Sequence, residues 1–313
     1  MDTAAPAITE SPLPQPLPTR RRGVAVAIPL MLLGMLLFAL NDLMGKWLVA
    51  TYSPAQVMLI RSVAALAILL PLLGRAGLVA AVRVKRPGLH ALRALFSALD
   101  VICFYTAVIW LPLADVMAFY LAAPIFVAAM SPMFLGEKVG WRRWTAIGIG
   151  FVGVVIALNP SAESLQLPAL LSLAGSLAFA LLIVTTRALG PTTGDKVLVL
   201  WPIAGAMILG LLATPFGWVM PTGRDVALLG LLGVVSMCAY FCINRSLKLA
   251  PAASVAPYQY TLIVWAILFG YPVFGDVPTP HMLMGAAVIV AAGLFIFWRE
   301  QSLARSRSGE ASP

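Results

Sequence analysis

Asp42 and Asp100 stand in stretches otherwise apolar enough to cross a bilayer. A carboxylate in hydrocarbon costs roughly 2.5 to 3.5 kcal/mol on insertion scales, so each needs a partner or a task. Three tasks suit the residue type: neutralising a buried cation, holding a ligand, or carrying a proton. Asp42 follows Asn41 and precedes Lys46 by four residues, a spacing that puts both charges on one helical face. An ion pair near the helix end and a substrate or proton site both fit that pattern. Asp100 lies near the middle of its stretch, one turn from Phe96 and Phe104 and two from Arg93. It reads either as lining a cavity or as a hydrogen bond between helices.

Aromatic residues supply the second kind of chemistry. The run "APYQYT" places Tyr258, Gln259, Tyr260 and Thr261 directly after Pro257, and Tyr240, Asn244, Phe119, Tyr120, Phe104 and Tyr105 add rings and polar tips elsewhere. Tyr258 and Thr261 share a helical face with Trp265. Flat aromatic walls with a few hydrogen-bonding groups hold a planar heterocycle by stacking. The expected binding set is therefore Asn41, Asp42, Asp100, Phe104, Phe119, Tyr120, Tyr240, Asn244, Tyr258, Thr261 and Trp265. A belt at the membrane interfaces is the competing account of aromatic residues, and it suits Trp47, Tyr52, Trp110, Trp141, Trp144 and Trp298.

Other polar residues have plainer expectations. Asp115 begins its stretch and is placed to cap a helix. Arg61, Arg187 and Arg245 sit at stretch ends, where the default is a charge reaching out to headgroups. His90 and His281 are expected at the interface. Cys103, Cys238 and Cys242 all fall inside apolar stretches, and neither paired extramembrane cysteines nor ligand spacing points to a disulfide, a metal or any other cofactor. No enzyme chemistry is expected.

The elements that must position these groups follow from composition. The chain is 61% hydrophobic and 11% charged, with a mean hydropathy of +0.96, against about 25% charged in soluble proteins. Uncharged runs cover residues 23–41, 116–136, 144–162, 164–186, 197–223, 226–244 and 249–275, most of them near the ~20 residues a helix needs to span the bilayer core. Residues 62–74, 91–110 and 277–298 bring the expected spans to ten. The connections are short, so no soluble domain fits between spans.

The net charge of +9 would suit nucleic acid, but its distribution follows membrane sidedness instead. With the first residues cytoplasmic, all but Lys46, Arg61 and Arg224 of the 21 basic residues fall on the inner side. Both termini are then cytoplasmic, and the membrane is the inner (plasma) membrane. The first nineteen residues, with prolines at 6, 12, 14, 16 and 18, read as a disordered tail. The run from Gly23 to Asn41 is longer than the apolar core of a cleaved signal and reads as a span.

Two copies of one unit are visible. Residues 114–154 match 253–293 at a constant offset of 139, setting Asp115-Val116 beside Ser254-Val255 and Gly136-Glu137 beside Gly275-Asp276. Upstream, "GMLLFALNDLMGKWL" from Gly34 matches "GSLAFALLIVTTRAL" from Gly175, pairing Phe38 with Phe179 and Lys46 with Arg187. The fold class is then all-α integral membrane, ten transmembrane helices as two inverted five-helix repeats. The division runs 1–22 (tail), 23–160 (first repeat), 164–298 (second repeat) and 299–313 (tail). Five spans per copy is odd, so the copies enter from opposite faces, the arrangement that supports alternating access. Pro124 and Pro132 in helix 4, with Pro251, Pro257 and Pro272 in helix 9, each remove a backbone donor. Lipid cannot satisfy the freed carbonyls, so both helices are expected to face the bundle interior. Gly148, Gly150, Gly153, Gly285 and Gly293 suit close helix contact, as scaffold or as the face of a homodimer.

The motifs "GEKVGWRRW", "FALNDLMGKWL", "LKLAPAASVAPYQYTLIVWAILFGYPVFGDVP" and "GAAVIVAAGLFIF" resemble the EamA-like branch of the drug/metabolite transporter superfamily. The resemblance covers residues 23–298 and implies ten helices, inverted repeats and movement of small organic metabolites. The partners are then a small-molecule substrate and the lipid bilayer, with no nucleic acid. On the aromatic wall, a planar vitamin such as riboflavin is placed ahead of an amino acid or an amino-acid-derived metabolite. Two rivals make different demands. An integral membrane enzyme on lipid-linked substrates needs clustered Asp, His or Glu at a membrane face, and a sensor or scaffold needs no wet central cavity.

Overall fold

The computed structural model describes residues 18–135, 140–158, 167–250 and 255–309. In chain order the helices are α1 (Pro18–Val49), α2 (Pro54–Val82), α3 (Pro87–Ala107), α4 (Leu113–Tyr120), α5 (Ala123–Leu135) and α6 (Trp141–Leu158). After these come α7 (Leu167–Leu189), α8 (Asp195–Ala213), α9 (Gly223–Leu249), α10 (Thr261–Phe274) and α11 (Pro280–Gly309). No strand occurs among the described residues. Among the described residues, eight segments are long and apolar enough to cross a membrane, with α4 and the start of α5 counted together, and two shorter apolar helices cover Trp144–Ala157 and Tyr258–Phe274.

Local chemistry sets the boundaries. The α2 helix starts at Pro54, behind Ser53, whose hydroxyl accepts the Gln56 N–H. Proline also opens α3, at Pro87, where its missing donor would be unused anyway. The expected fourth span is two helices. Pro124 has no N–H to offer the Tyr120 carbonyl, so α4 ends at Tyr120 and the chain turns at Leu121 and Ala122 before α5, in whose first turn a proline's missing donor is not needed. The ninth span begins as a 3₁₀ turn, Ala256–Tyr260, before it becomes α10. Pro272, expected to face the interior, lies in α10 on an exposed face, because the chain is already leaving the bundle there. Pro251, Glu137 and Lys138 lie outside the described residues.

The packing follows the duplication. The α1 helix lies along α9 and α3 along α7; α2 lies along α8, α6 along α11 and α4 against α10. Exchanging α1 with α7, α2 with α8, α3 with α9, the α4–α5 pair with α10, and α6 with α11 maps this set of contacts onto itself. Two copies related by a two-fold rotation produce that pattern. Glycine allows the α6–α11 contact: a Cβ on Gly285 would run into the Gly153 carbonyl, and one on Gly153 into the Gly285 carbonyl. These two glycines are used within the chain, as scaffold.

The exposed apolar residues, among them Leu72, Val152, Ile208, Leu211 and Leu268, cover the outer surface, and Trp47, Trp110, Trp141, Trp144 and Trp298 are exposed with them. Tyr52 departs from the expected belt. It is buried, and its hydroxyl donates to the Asp225 carboxylate at 2.6 Å, tying the α1–α2 turn to the start of α9.

Candidate functional site

Arg61 defines the centre of the bundle. Its placement overturns the expectation of a headgroup-facing charge: the side chain is 5% exposed, held inside by the length of α2 on either side of it. Gly233 on α9 leaves room for this, since a Cβ there would collide with the Arg61 backbone. Nη1 donates to the Tyr105 hydroxyl at 2.5 Å and to Asn41 Oδ1 at 3.4 Å, and the guanidinium also lies over the Tyr105 ring, 5.5 Å from its centroid. Among the described residues no carboxylate lies within ion-pair distance of Arg61.

Around it is a cavity of about 470 Å³, lined by Phe38, Asn41, Asp42, Arg61, Asp100, Val101, Phe104, Tyr105, Met117, Tyr120, Phe179, Tyr240 and Leu262. The lining has the character of small-molecule sites, mostly apolar with a few convergent polar groups. Asp42 accepts from Asn41 Nδ2 at 3.0 Å, and Asp100 accepts from the Tyr120 hydroxyl at 2.7 Å. Each carboxylate is thus supported from one side and borders the cavity on another. The rings interlock edge to face: Phe38 with Tyr240 at 5.2 Å and 88°, and Phe104 with Tyr120 at 5.7 Å and 88°. The Tyr240 hydroxyl is fixed in turn by Ser97 at 3.1 Å.

Two glycines admit the tyrosines that hold these charges. A Cβ on Gly45 would overlap the Tyr105 ring, and one on Gly175 would overlap the Tyr120 hydroxyl. Both tyrosines therefore reach their charged partners only because α1 and α7 lack a side chain at those points.

Of the residues expected from sequence, the cavity brings together Asn41, Asp42, Asp100, Phe104, Tyr120 and Tyr240. It leaves out Phe119, Asn244, Tyr258, Thr261 and Trp265. Phe119, 2% exposed, points into the packing of α5, α6 and α11. Asn244 is buried in α9 away from the cavity. The hydroxyl of Thr261 bonds back to the Tyr258 carbonyl at 2.6 Å, and Trp265 stacks on Phe269 at 6.0 Å and 20°. The expected wall on the ninth span is thus a packing surface, and that span contributes Leu262 alone to the lining. Phe38, Arg61, Tyr105 and Phe179 were missed. The repeat alignment had matched Phe38 with Phe179, and equivalent residues of two copies meet where a two-fold axis passes.

Three further charges differ from expectation. Lys46 does not pair with Asp42; its Nζ reaches Asp276 at 2.5 Å, leaving Asp42 to the cavity. The same Asp276 carboxylate accepts the Leu113 N–H at 2.9 Å, so α4 is capped from the far repeat and not by Asp115. Arg93 is fully buried, donating Nε to Thr186 at 2.8 Å and Nη1 to the Leu198 carbonyl. Beside it His90, expected at the interface, is 1% exposed and packs 5.4 Å from the Trp201 ring.

Duplicated halves of apolar helices around a shared cavity that holds a few convergent polar groups define a multi-span membrane transporter. The comparisons with known proteins specify which. The model of the EamA-like transporter family matches twice, over residues 25–159 and 166–298, and the chain belongs to that family; it is a transporter and not an enzyme. It is 30% identical over 282 residues to a riboflavin transporter of Rhizobium johnstonii, covering 89% of this chain and 93% of that one. A riboflavin transporter of Vibrio cholerae is 29% identical over 262 residues, covering 80% and 86%. An S-adenosylmethionine uptake transporter of Rickettsia bellii is 26% identical over 277 residues, covering 88% and 95%. A crystal structure at 17% identity superposes with a TM-score of 0.61 over 86% of this chain and 95% of its own, a likeness of fold.

Proposed function

We propose that the chain is a secondary transporter that moves a small planar metabolite, riboflavin foremost, across the inner membrane by alternating access. The cavity carries this reading: six aromatic rings and one guanidinium border it, contributed by both halves. An isoalloxazine presents flat faces to Phe38, Phe104 and Phe179, and its carbonyl edge suits the donors of Arg61. Two relatives named riboflavin transporters support the choice. The binding residues are then Phe38, Asn41, Asp42, Arg61, Asp100, Phe104, Tyr105, Tyr120, Phe179 and Tyr240.

Residues 23–160 and 164–298 act as the two rocking halves, with 1–22 and 299–313 as cytoplasmic tails. Exchange of near-equivalent halves around a fixed site is the mechanical basis. A second reading has one specific observation in its favour. Asp42 and Asp100 facing Arg61 also suit a zwitterion with a planar base, and relatives named for S-adenosylmethionine uptake fit that chemistry.

Proteoliposomes holding the purified chain test the proposal. Saturable riboflavin uptake above that of empty vesicles is expected, with S-adenosylmethionine as the parallel arm. Flux of both compounds equal to empty vesicles would refute it.

A further inference from the structure

We infer that the cavity excludes phosphate esters, so that its substrate class is the unphosphorylated, uncharged or zwitterionic form of a planar heterocycle. This inference rests on the transport reading above and deepens it.

The charge inventory of the cavity carries the inference. One cation, Arg61, borders it together with two carboxylates, Asp42 and Asp100. Lys46 is paired with Asp276, and neither it nor Arg93, which is buried against Thr186 and Leu198, is among the lining residues. A phosphate monoester brings nearly two negative charges at neutral pH. Proteins hold such groups with several cations or with a row of free backbone N–H groups at a helix N-terminus. At the start of α4 the Leu113 N–H is already given to Asp276.

Hydrogen bonding agrees with the charge count. Asp42 takes one bond from Asn41 and Asp100 takes its side-chain bond from Tyr120, so each carboxylate retains acceptor capacity facing the cavity. Those acceptors favour N–H or O–H donors on the ligand and oppose phosphate oxygens, which are acceptors themselves. Even with one carboxyl protonated, the other still offsets Arg61 one to one. A site that repels an analogue in this way gains specificity beyond what its attractive contacts supply.

Equilibrium binding to the full chain in lipid nanodiscs tests the inference with two matched pairs, riboflavin against flavin mononucleotide by fluorescence quenching, and adenosine against adenosine monophosphate by displacement or thermal shift. Each monophosphate is expected to bind at least about tenfold more weakly than its parent, a difference of about 1.4 kcal/mol. Asp42→Asn with Asp100→Asn should narrow that gap to about threefold or less. A monophosphate that binds the wild-type chain as tightly as its parent would overturn the inference, with no need of the variant. So would an unchanged gap in a double variant that still binds the parent. Should adenosine bind and riboflavin not, flavin is removed from the proposed function, and the adenosine pair alone decides the exclusion.

Discussion

The rings of Phe38 and Phe179, equivalent residues of the two repeats, meet with centroids 6.3 Å apart and planes at 77°. One comes from α1 and the other from α7, and both line the central cavity. Their meeting places the relation between the halves at the cavity.

Equivalence predicts equal consequences. Phe38→Leu and Phe179→Leu each remove one ring while keeping most of the volume, so stability should fall by less than about 1.5 kcal/mol. Loss of the aromatic face should weaken riboflavin binding by about tenfold in either variant, corresponding to the upper end of an aromatic pair. Titration of each purified variant checks this. Sharply unequal losses would show that the ligand sits to one side of the axis.

Gly45 and Gly175 lie against the tyrosines that hold Arg61 and Asp100. Gly45→Ala should push Tyr105 away from Arg61, and Gly175→Ala should displace Tyr120 from Asp100. Transport is expected to drop by at least about tenfold in each, at a stability cost of about 1 to 3 kcal/mol from overpacking. Restoring space with Gly45→Ala plus Tyr105→Leu, which removes the ring that the new Cβ meets, should recover folding without transport, because the hydroxyl that holds Arg61 is gone. Flux and melting temperature measured together distinguish the two effects.

Lys46 and Asp276 form a partly buried ion pair, with side chains 14% and 15% exposed, that joins α1 to the turn after α10. Asp276→Asn removes the charge while keeping a weaker cap on Leu113. Stability should fall by about 1.5 to 3 kcal/mol, the range for hydrogen bonds to charged groups. Asp276→Ala should cost more, since the cap is lost as well. The pair also ties α1 and the turn after α10 to the start of α4. Thermal unfolding of the two variants in one detergent provides the comparison.

The Tyr52 phenol, outside the spans, donates to Asp225, and this bond holds its pKa above the ordinary value of 10.0. A raised native pKa means that the native state binds the proton more tightly than the unfolded chain. The contribution is therefore fully present below pH 10 and is lost as pH rises through the native pKa. Tyr52→Phe should remove that alkaline dependence while leaving stability at pH 7 to 9 lower but flat. Melting curves between pH 7 and 11 would show it.

The duplication was legible because five spans per copy leave paired sequence marks, such as Gly136-Glu137 with Gly275-Asp276. The site was legible only in part. Asp42, Asp100, Tyr120 and Tyr240 stood out as polar tips in apolar runs, and the cavity gathers them. Arg61 was missed because a residue eight positions into a helix looks near a boundary when only uncharged runs are counted; the α2 helix in fact begins at Pro54. Helix spacing put Lys46 beside Asp42, but a partner from the other repeat wins, since Asp276 offers Lys46 a carboxylate that also caps α4. The polar run at Tyr258 to Thr261 misled for a related reason. A 3₁₀ turn changes which residues share a face, so spacing counted at helical pitch pointed the wrong side chains inward.

Alternation of the two halves around one cavity is tested most directly by a single cysteine at Val101, a lining residue, in a chain with Cys103, Cys238 and Cys242 replaced. A membrane-impermeant thiol reagent applied to either side of sealed vesicles is expected to label it from both sides, with riboflavin protecting against each. Labelling from neither side, or from one side alone under all conditions, would contradict the account.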